Sequence, residues 1–140
     1  MKTVLVVFLS LLCITPSFSC ENIEKGAYLC SFEDGSVETL LVDYGSNAKG
    51  RFIILDSNEN KFYINGQPYA ENINGKFLNV QAQCEREGSE LNVQMNIYGT
   101  DTVYETINLS TDSESVGIYL NVEKLGKDKK QAYCNSIDFI

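Results

Sequence analysis

Hydrophobic and polar positions alternate along much of this chain with a period of two. In Lys76–Arg86, Leu78, Val80, Ala82 and Cys84 alternate with Asn79, Gln81, Gln83 and Glu85. In Glu90–Tyr98, Leu91, Val93, Met95 and Ile97 alternate with Asn92, Gln94 and Asn96. Such alternation sets one face of a strand on a core and the other in water. Three more strands are expected: Thr102–Leu109 with Val103, Ile107 and Leu109 inward, Val116–Leu125 with Val116, Ile118, Leu120 and Val122 on one face, and Gln131–Ile140. Gly88-Ser89, Gly99-Thr100-Asp101 and Gly126–Lys130 read as turns between them, and Ser110–Ser115 as a solvated loop.

The first half reads as a hairpin over Lys25–Asp43 with a two-residue Asp34-Gly35 turn, a dipeptide that favours φ > 0 at both central positions. That loop pairs Phe32 with Val37, Cys30 with Thr39 and Tyr28 with Leu41 on one face, and Leu29 with Leu40 and Ala27 with Val42 on the other. Tyr44–Lys49 reads as a loop. Gly50–Asp56 follows as a strand that is apolar on both faces through Phe52-Ile53-Ile54-Leu55. Lys61–Ile64 is a short strand, Asn65-Gly66 and Asn74-Gly75 are hairpin signals, and Pro68 confines Gln67–Ala70 to an edge.

No helical period, internal repeat or interdomain linker interrupts this pattern. The expected fold is all-β: a single antiparallel meander of about eight or nine strands closed into a small up-and-down barrel, since a sheet of this kind must curl to bury its apolar face and manage its edges. A Greek-key sandwich would want a long crossover.

Residues 1–19 read as a cleaved secretory signal, leaving 20–140 as one β-barrel domain. Lys2 supplies the positive charge, Val4–Ile14 the apolar run and Ser17-Phe18-Ser19 the small-x-small cleavage pattern. The run is too short to span a membrane. Cys13 leaves with the signal, and Cys20, Cys30, Cys84 and Cys134 remain, an even number suited to two disulfides in a secreted or periplasmic protein. Lipid anchoring at Cys20 is disfavoured, because Phe18 breaks the lipoprotein pattern and lipidation would strand one thiol. If the first and last strands meet, Cys30 faces Cys134 and Cys20 is left for Cys84; three connectivities remain open.

The chain holds 11 basic and 19 acidic residues, a formal net charge of −8, and losing Lys2 with the signal makes it one more negative. Such acidity argues against a nucleic-acid partner and suits either solubility or a basic protein partner. The chain has no His, the usual base at neutral pH and the commonest transition-metal ligand. No nucleophile elbow, C-x-x-C pair or phosphate loop is present. The acidic pairs Glu85/Glu87, Glu33/Asp34 and Asp112/Glu114 fall at strand ends or loops and match no EF-hand, so they read as solvated surface. No catalytic residue, metal or cofactor is expected.

Two surfaces stand out as binding candidates. One is the outward amide row of Asn79, Gln81 and Gln83 with Asn92, Gln94 and Asn96; planar amides suit sugar hydroxyls, but the sequence places no aromatic near them. The other is the barrel interior, where Leu78, Val80, Leu91, Val93, Met95, Ile118 and Leu120 would line a cavity for a small apolar ligand if side chains do not fill it. Asn108-Leu109-Ser110 forms a sequon that matters only in a eukaryotic secretory path.

Gly26-Ala27-Tyr28 is similar in position to the Gly-x-Trp strand that opens lipocalins, although this chain has no Trp. Tyr28-Leu29-Cys30 and Tyr133-Cys134 resemble the frame of the small bacterial inhibitors of C-type lysozyme, in which a first-strand Cys pairs with a terminal one. The inhibitory Ser-Gly-x-x-Tyr loop of that family has no counterpart here. Both resemblances imply a secreted barrel. The expected function is non-enzymatic binding: inhibition or binding of a basic secreted protein, or carriage of a small hydrophobic ligand in the barrel.

Overall fold

A computed structural model describes residues 20–111 and 117–137. The expected signal at residues 1–19 with Cys13, the Asp112/Glu114 pair and the expected strand ends at Val116 and residues 138–140 lie outside them.

The described residues form one antiparallel meander of ten strands shaped as a half-barrel. The strands are β1 (Gly26–Phe32), β2 (Val37–Asn47), β3 (Gly50–Ile54), β4 (Lys61–Tyr63), β5 (Tyr69–Ile73), β6 (Lys76–Glu85), β7 (Glu90–Ile97), β8 (Val103–Ser110), β9 (Ile118–Lys124) and β10 (Lys130–Ser136). Their order is β4-β3-β2-β1-β10-β9-β8-β7-β6-β5, so the first and last strands pair at the middle of the sheet and the edges are β4 and β5. Cys30 lies directly opposite Cys134 in the β1–β10 ladder and is disulfide-bonded to it; Cys20 is bonded to Cys84. The Cys20 sulfur is thereby committed, and a lipid thioether there would require breaking that bond.

The opening hairpin is one residue out of the expected register. Ala27 pairs with Leu41, Tyr28 with Leu40, and Cys30 with Glu38. Phe32 instead closes the hairpin, its N–H donating to Ser36 O at 2.9 Å around a three-residue loop in which Gly35 alone has positive φ, +88°. The Asp34 carboxylate accepts from both Ser36 N (2.9 Å) and Ser36 Oγ (2.6 Å), which fixes the Asp in the turn and makes a Gly-bulge hairpin rather than a two-residue one. The shift moves Leu40 and Val42 onto the buried face beside Tyr28 and Cys30. Asn74-Gly75 does adopt the two-residue turn, with φ +52° and +86° between Ile73 and Lys76.

Two expected loops change character. Tyr44–Asn47 continues β2, which pairs with β1 through Val42 and with β3 from Asp43 onward, leaving only Ala48-Lys49 as the turn. Asn65-Gly66 joins no paired strands; it carries the chain across the seam between the two sheet edges. There Ile64 forms a parallel bridge with Ala82, Asn65 N–H donates to Ala82 O at 2.8 Å, and Asn65 Oδ1 accepts from Cys84 N at 2.9 Å. Asn65 has φ +61°, a conformation Asn tolerates better than most residues.

One end of the half-barrel is covered by Cys20–Lys25. Cys20 and Ile23 are fully buried, Tyr44 Oη donates to the carbonyls of Cys20 (2.8 Å) and Ile23, and Asn22 N–H donates to Gly88 O at 3.0 Å. Phe52 lies over Gly45 opposite it on the outer face, in space a Cβ would occupy, which explains why β3 is covered on both sides.

Candidate functional site

Where β2 passes from β1 to β3, a cleft of about 630 Å³ opens, and among its lining residues are Leu41, Asp43, Ile54, Asp56 and Glu59. Strand alternation explains the floor: Leu40, Val42 and Ile53 turn inward, so Leu41, Asp43 and Ile54 turn out. The rim follows from the turn after β3. Asp56 Oδ1 accepts from Asn58 N at 3.0 Å, Asp56 O accepts from Glu59 N at 3.2 Å, and Glu59 is held at φ +58°. Asp43 Oδ1 accepts from its neighbour Tyr44 N at 2.9 Å. Asp43 and Asp56 therefore each keep a second carboxylate oxygen for an incoming donor. Lys25 is the one basic group in the lining, against three acids.

Leu41 faces outward, opposite to the side expected from the two-residue turn, and Asp43, Asp56 and Glu59 had no expected role. They are separated along the chain and come together only because β2 is long enough to pair with β1 at one end and β3 at the other.

Leu78, Val80, Leu91, Val93, Met95, Ile118 and Leu120 are all buried and belong to one continuous core cluster with Ile53, Phe62 and Leu109. The cleft between β2 and the turn after β3 is lined by other residues. At the end of the half-barrel away from Cys20–Lys25, Glu105 follows the inward side of β8 opposite Met95 and Lys124. Burial pushes its carboxyl above the usual carboxylate range; Lys124 draws it back, and Asp56 adds to the rise. Among the described residues, no group of three or more His, Cys, Asp or Glu is arranged to hold a metal, and no helix is long and apolar enough to cross a membrane.

The amide row is more extensive than β6 and β7 suggested. Gln83, Asn92, Asn108, Asn121 and Gln131 stand opposite one another across five adjacent strands. Their amides are oriented: Asn108 Nδ2 donates to Asn92 Oδ1 (2.5 Å) and Glu90 Oε2 (2.8 Å), and Asn92 Nδ2 donates to Glu85 Oε2 (2.9 Å). These donors offset the repulsion expected of Glu85 and Glu90, a like-charged pair directly opposite in the ladder. Asn108, the sequon residue, thus sits mid-strand with its amide engaged. The expectation that no aromatic lies near this face is overturned, since Tyr119 and Tyr133 pair across β9 and β10 with ring centroids 4.9 Å apart, two residues from Asn121 and Gln131.

Comparison with protein families, with curated proteins and with solved structures finds no match for this chain.

Proposed function

We propose that this is a secreted or periplasmic binding protein without catalytic activity, and that it binds a basic secreted protein by seating a Lys or Arg side chain in the cleft between β2 and the turn after β3. The observation that carries this reading is the placement of Asp43, Asp56 and Glu59 around the apolar surfaces of Leu41 and Ile54. A long basic side chain has an apolar stem and a cationic head, and this lining suits both parts. The chain's net charge of −8 would speed encounter with such a partner. Two disulfides fit an oxidising compartment.

Carriage of a small apolar ligand has weaker support, because its candidate lining residues pack against one another in the core. An enzymatic reading would rest on Glu105, whose carboxyl feels Lys124 and Asp56 and which is not among the residues lining the cleft between β2 and the turn after β3.

Capture from a secreted proteome tests the proposal, with the wild type and the D43N/D56N/E59Q variant as baits. Cationic proteins retained by the wild type, lost from the variant and released by 0.5 M salt are the expected result. Equal retention on both baits, or retention indifferent to salt, contradicts it.

A further inference from the structure

The outer face of β6–β10 has no part in the cleft, yet it carries a row of amides in register across five strands. Neighbouring strands lie about 4.8 Å apart, so the five-residue row from Gln83 to Gln131 is roughly 19 Å long. Its five amides are uncharged, on a chain whose net charge is −8, with the Glu85 and Glu90 carboxylates held beside Asn92 and Asn108 by hydrogen bonds from those amides. A depression of about 230 Å³ opens in its middle, lined by Thr106, Asn108, Asn121, Glu123 and Lys129 together with Val122. Aromatic pairs stand at both margins. Tyr119 and Tyr133 stand two residues from the row, with Tyr119 46% exposed; Phe77 and Tyr98, their centroids 4.6 Å apart and both more than half exposed, lie at the far margin of the face, six residues along β6 and β7 from Gln83 and Asn92.

We propose that this face is a second binding site, and that it takes a neutral oligosaccharide lying across the strands along the amide row with a sugar ring against Tyr119. Each element of the surface suits that occupant. Amides present a donor and an acceptor in one plane and can engage neighbouring sugar hydroxyls, which also both donate and accept. The row's internal hydrogen bonds hold Asn92 and Asn108 in fixed orientations, lowering the ordering cost of binding. An exposed tyrosine ring offers an apolar plane to the C–H face of a sugar and a hydroxyl to its edge. An apolar protein surface is a poor occupant, because covering the amides without hydrogen-bonding them is unfavourable. Strand addition is excluded by geometry: it requires a sheet edge, and β6–β10 present a face here.

The test is an NMR titration with cellohexaose, chitohexaose, xylohexaose, mannohexaose and maltohexaose at pH 7 in 0.5 M NaCl, where charge-driven binding at the other cleft is suppressed. At least one saccharide is expected to shift the side-chain amides of Asn108, Asn121 and Gln131 saturably. Tyr119→Ala and Gln131→Ala, both at exposed positions, should each weaken that binding fivefold or more, and Tyr119→Phe should restore it to within twofold. Asp43→Asn should leave it unchanged, so failure at this face is separable from failure at the acidic cleft. The proposal is overturned if none of the five saccharides binds, or if binding survives either alanine variant with less than a fivefold loss.

Discussion

The Tyr69 hydroxyl stands where a strand would otherwise be, bonded to the free edge of β4: it accepts from Tyr63 N–H at 3.0 Å and donates to Lys61 C=O at 3.3 Å. Those are the groups an adjacent strand would pair. β5 follows β4 in sequence but pairs only with β6, and one phenol, with Ile64 and Asn65 at Ala82–Cys84, links the two edges. Burial pushes the Tyr69 phenol up to about 12, so the hydroxyl keeps its proton throughout the neutral range. Tyr69→Phe should preserve the ring contact with Tyr63 and remove both hydrogen bonds, lowering stability by about 1–2 kcal/mol in a denaturant titration. Hydrogen exchange at Tyr63 N–H should accelerate at the same time. An unchanged exchange rate there would show that the seam is held by other groups.

The two disulfides tie the chain together by different routes. Cys30–Cys134 closes a loop of sequence separation 104 across two paired strands, and Cys20–Cys84 one of separation 64 between the segment before β1 and β6. In the chain-entropy model each stabilises by ~4–5 kcal/mol. Replacing either pair with Ala should therefore cost similar amounts in urea, but only the Cys20/Cys84 replacement should expose Ile23 and release the Cys20–Lys25 segment. Limited proteolysis distinguishes the two, with early cleavage before β1 expected in that variant alone.

Glu105 gives stability a specific pH dependence. Its carboxyl is raised first by burial, against the pull of Lys124 and with the push of Asp56, so the folded chain holds this proton to a higher pH than the unfolded chain does. Between the ordinary carboxylate value and the raised one, the folded state binds more protons and stability falls as pH rises; above both, the full penalty applies. Glu105→Gln removes that penalty. Because the group is only partly buried, solvent screening limits the gain to ~0.5 kcal/mol, about 1–2 °C in the thermal midpoint at pH 7. The gain should vanish near pH 4. A lower midpoint at pH 7 would mean that pairing with Lys124 outweighs desolvation.

Much of the fold could be read from the sequence because alternation in β6 and β7 is unbroken and the turns carry Gly. The limits lie where side chains decide. Asp34-Gly35 and Asn74-Gly75 look equivalent, yet only the second is a two-residue turn, since the Asp34 carboxylate is drawn to Ser36. That single hydrogen-bonding preference reversed the faces assigned to Leu40, Leu41 and Val42, and with them the cleft floor. Asn108 and Asn121 alternate with the inward residues expected of their strands, whereas Gln131 had no expected face; their alignment with Gln83 and Asn92 depends on a register across five strands that no local pattern specifies. Asp56 and Glu59 carry no periodic signal because they lie in a turn.

Whether the acidic cleft receives a basic side chain is decided by titrating the isotope-labelled protein with a short blocked Lys/Arg-rich peptide and following backbone amide shifts by NMR. The expected result is saturable shifts confined to Lys25–Gly26, Leu41–Asp43 and Ile54–Glu59, weakening by tenfold or more between 50 and 300 mM salt and absent from D43N/D56N/E59Q. Shifts spread evenly over the acidic residues of the chain, or unchanged in that variant, would contradict it.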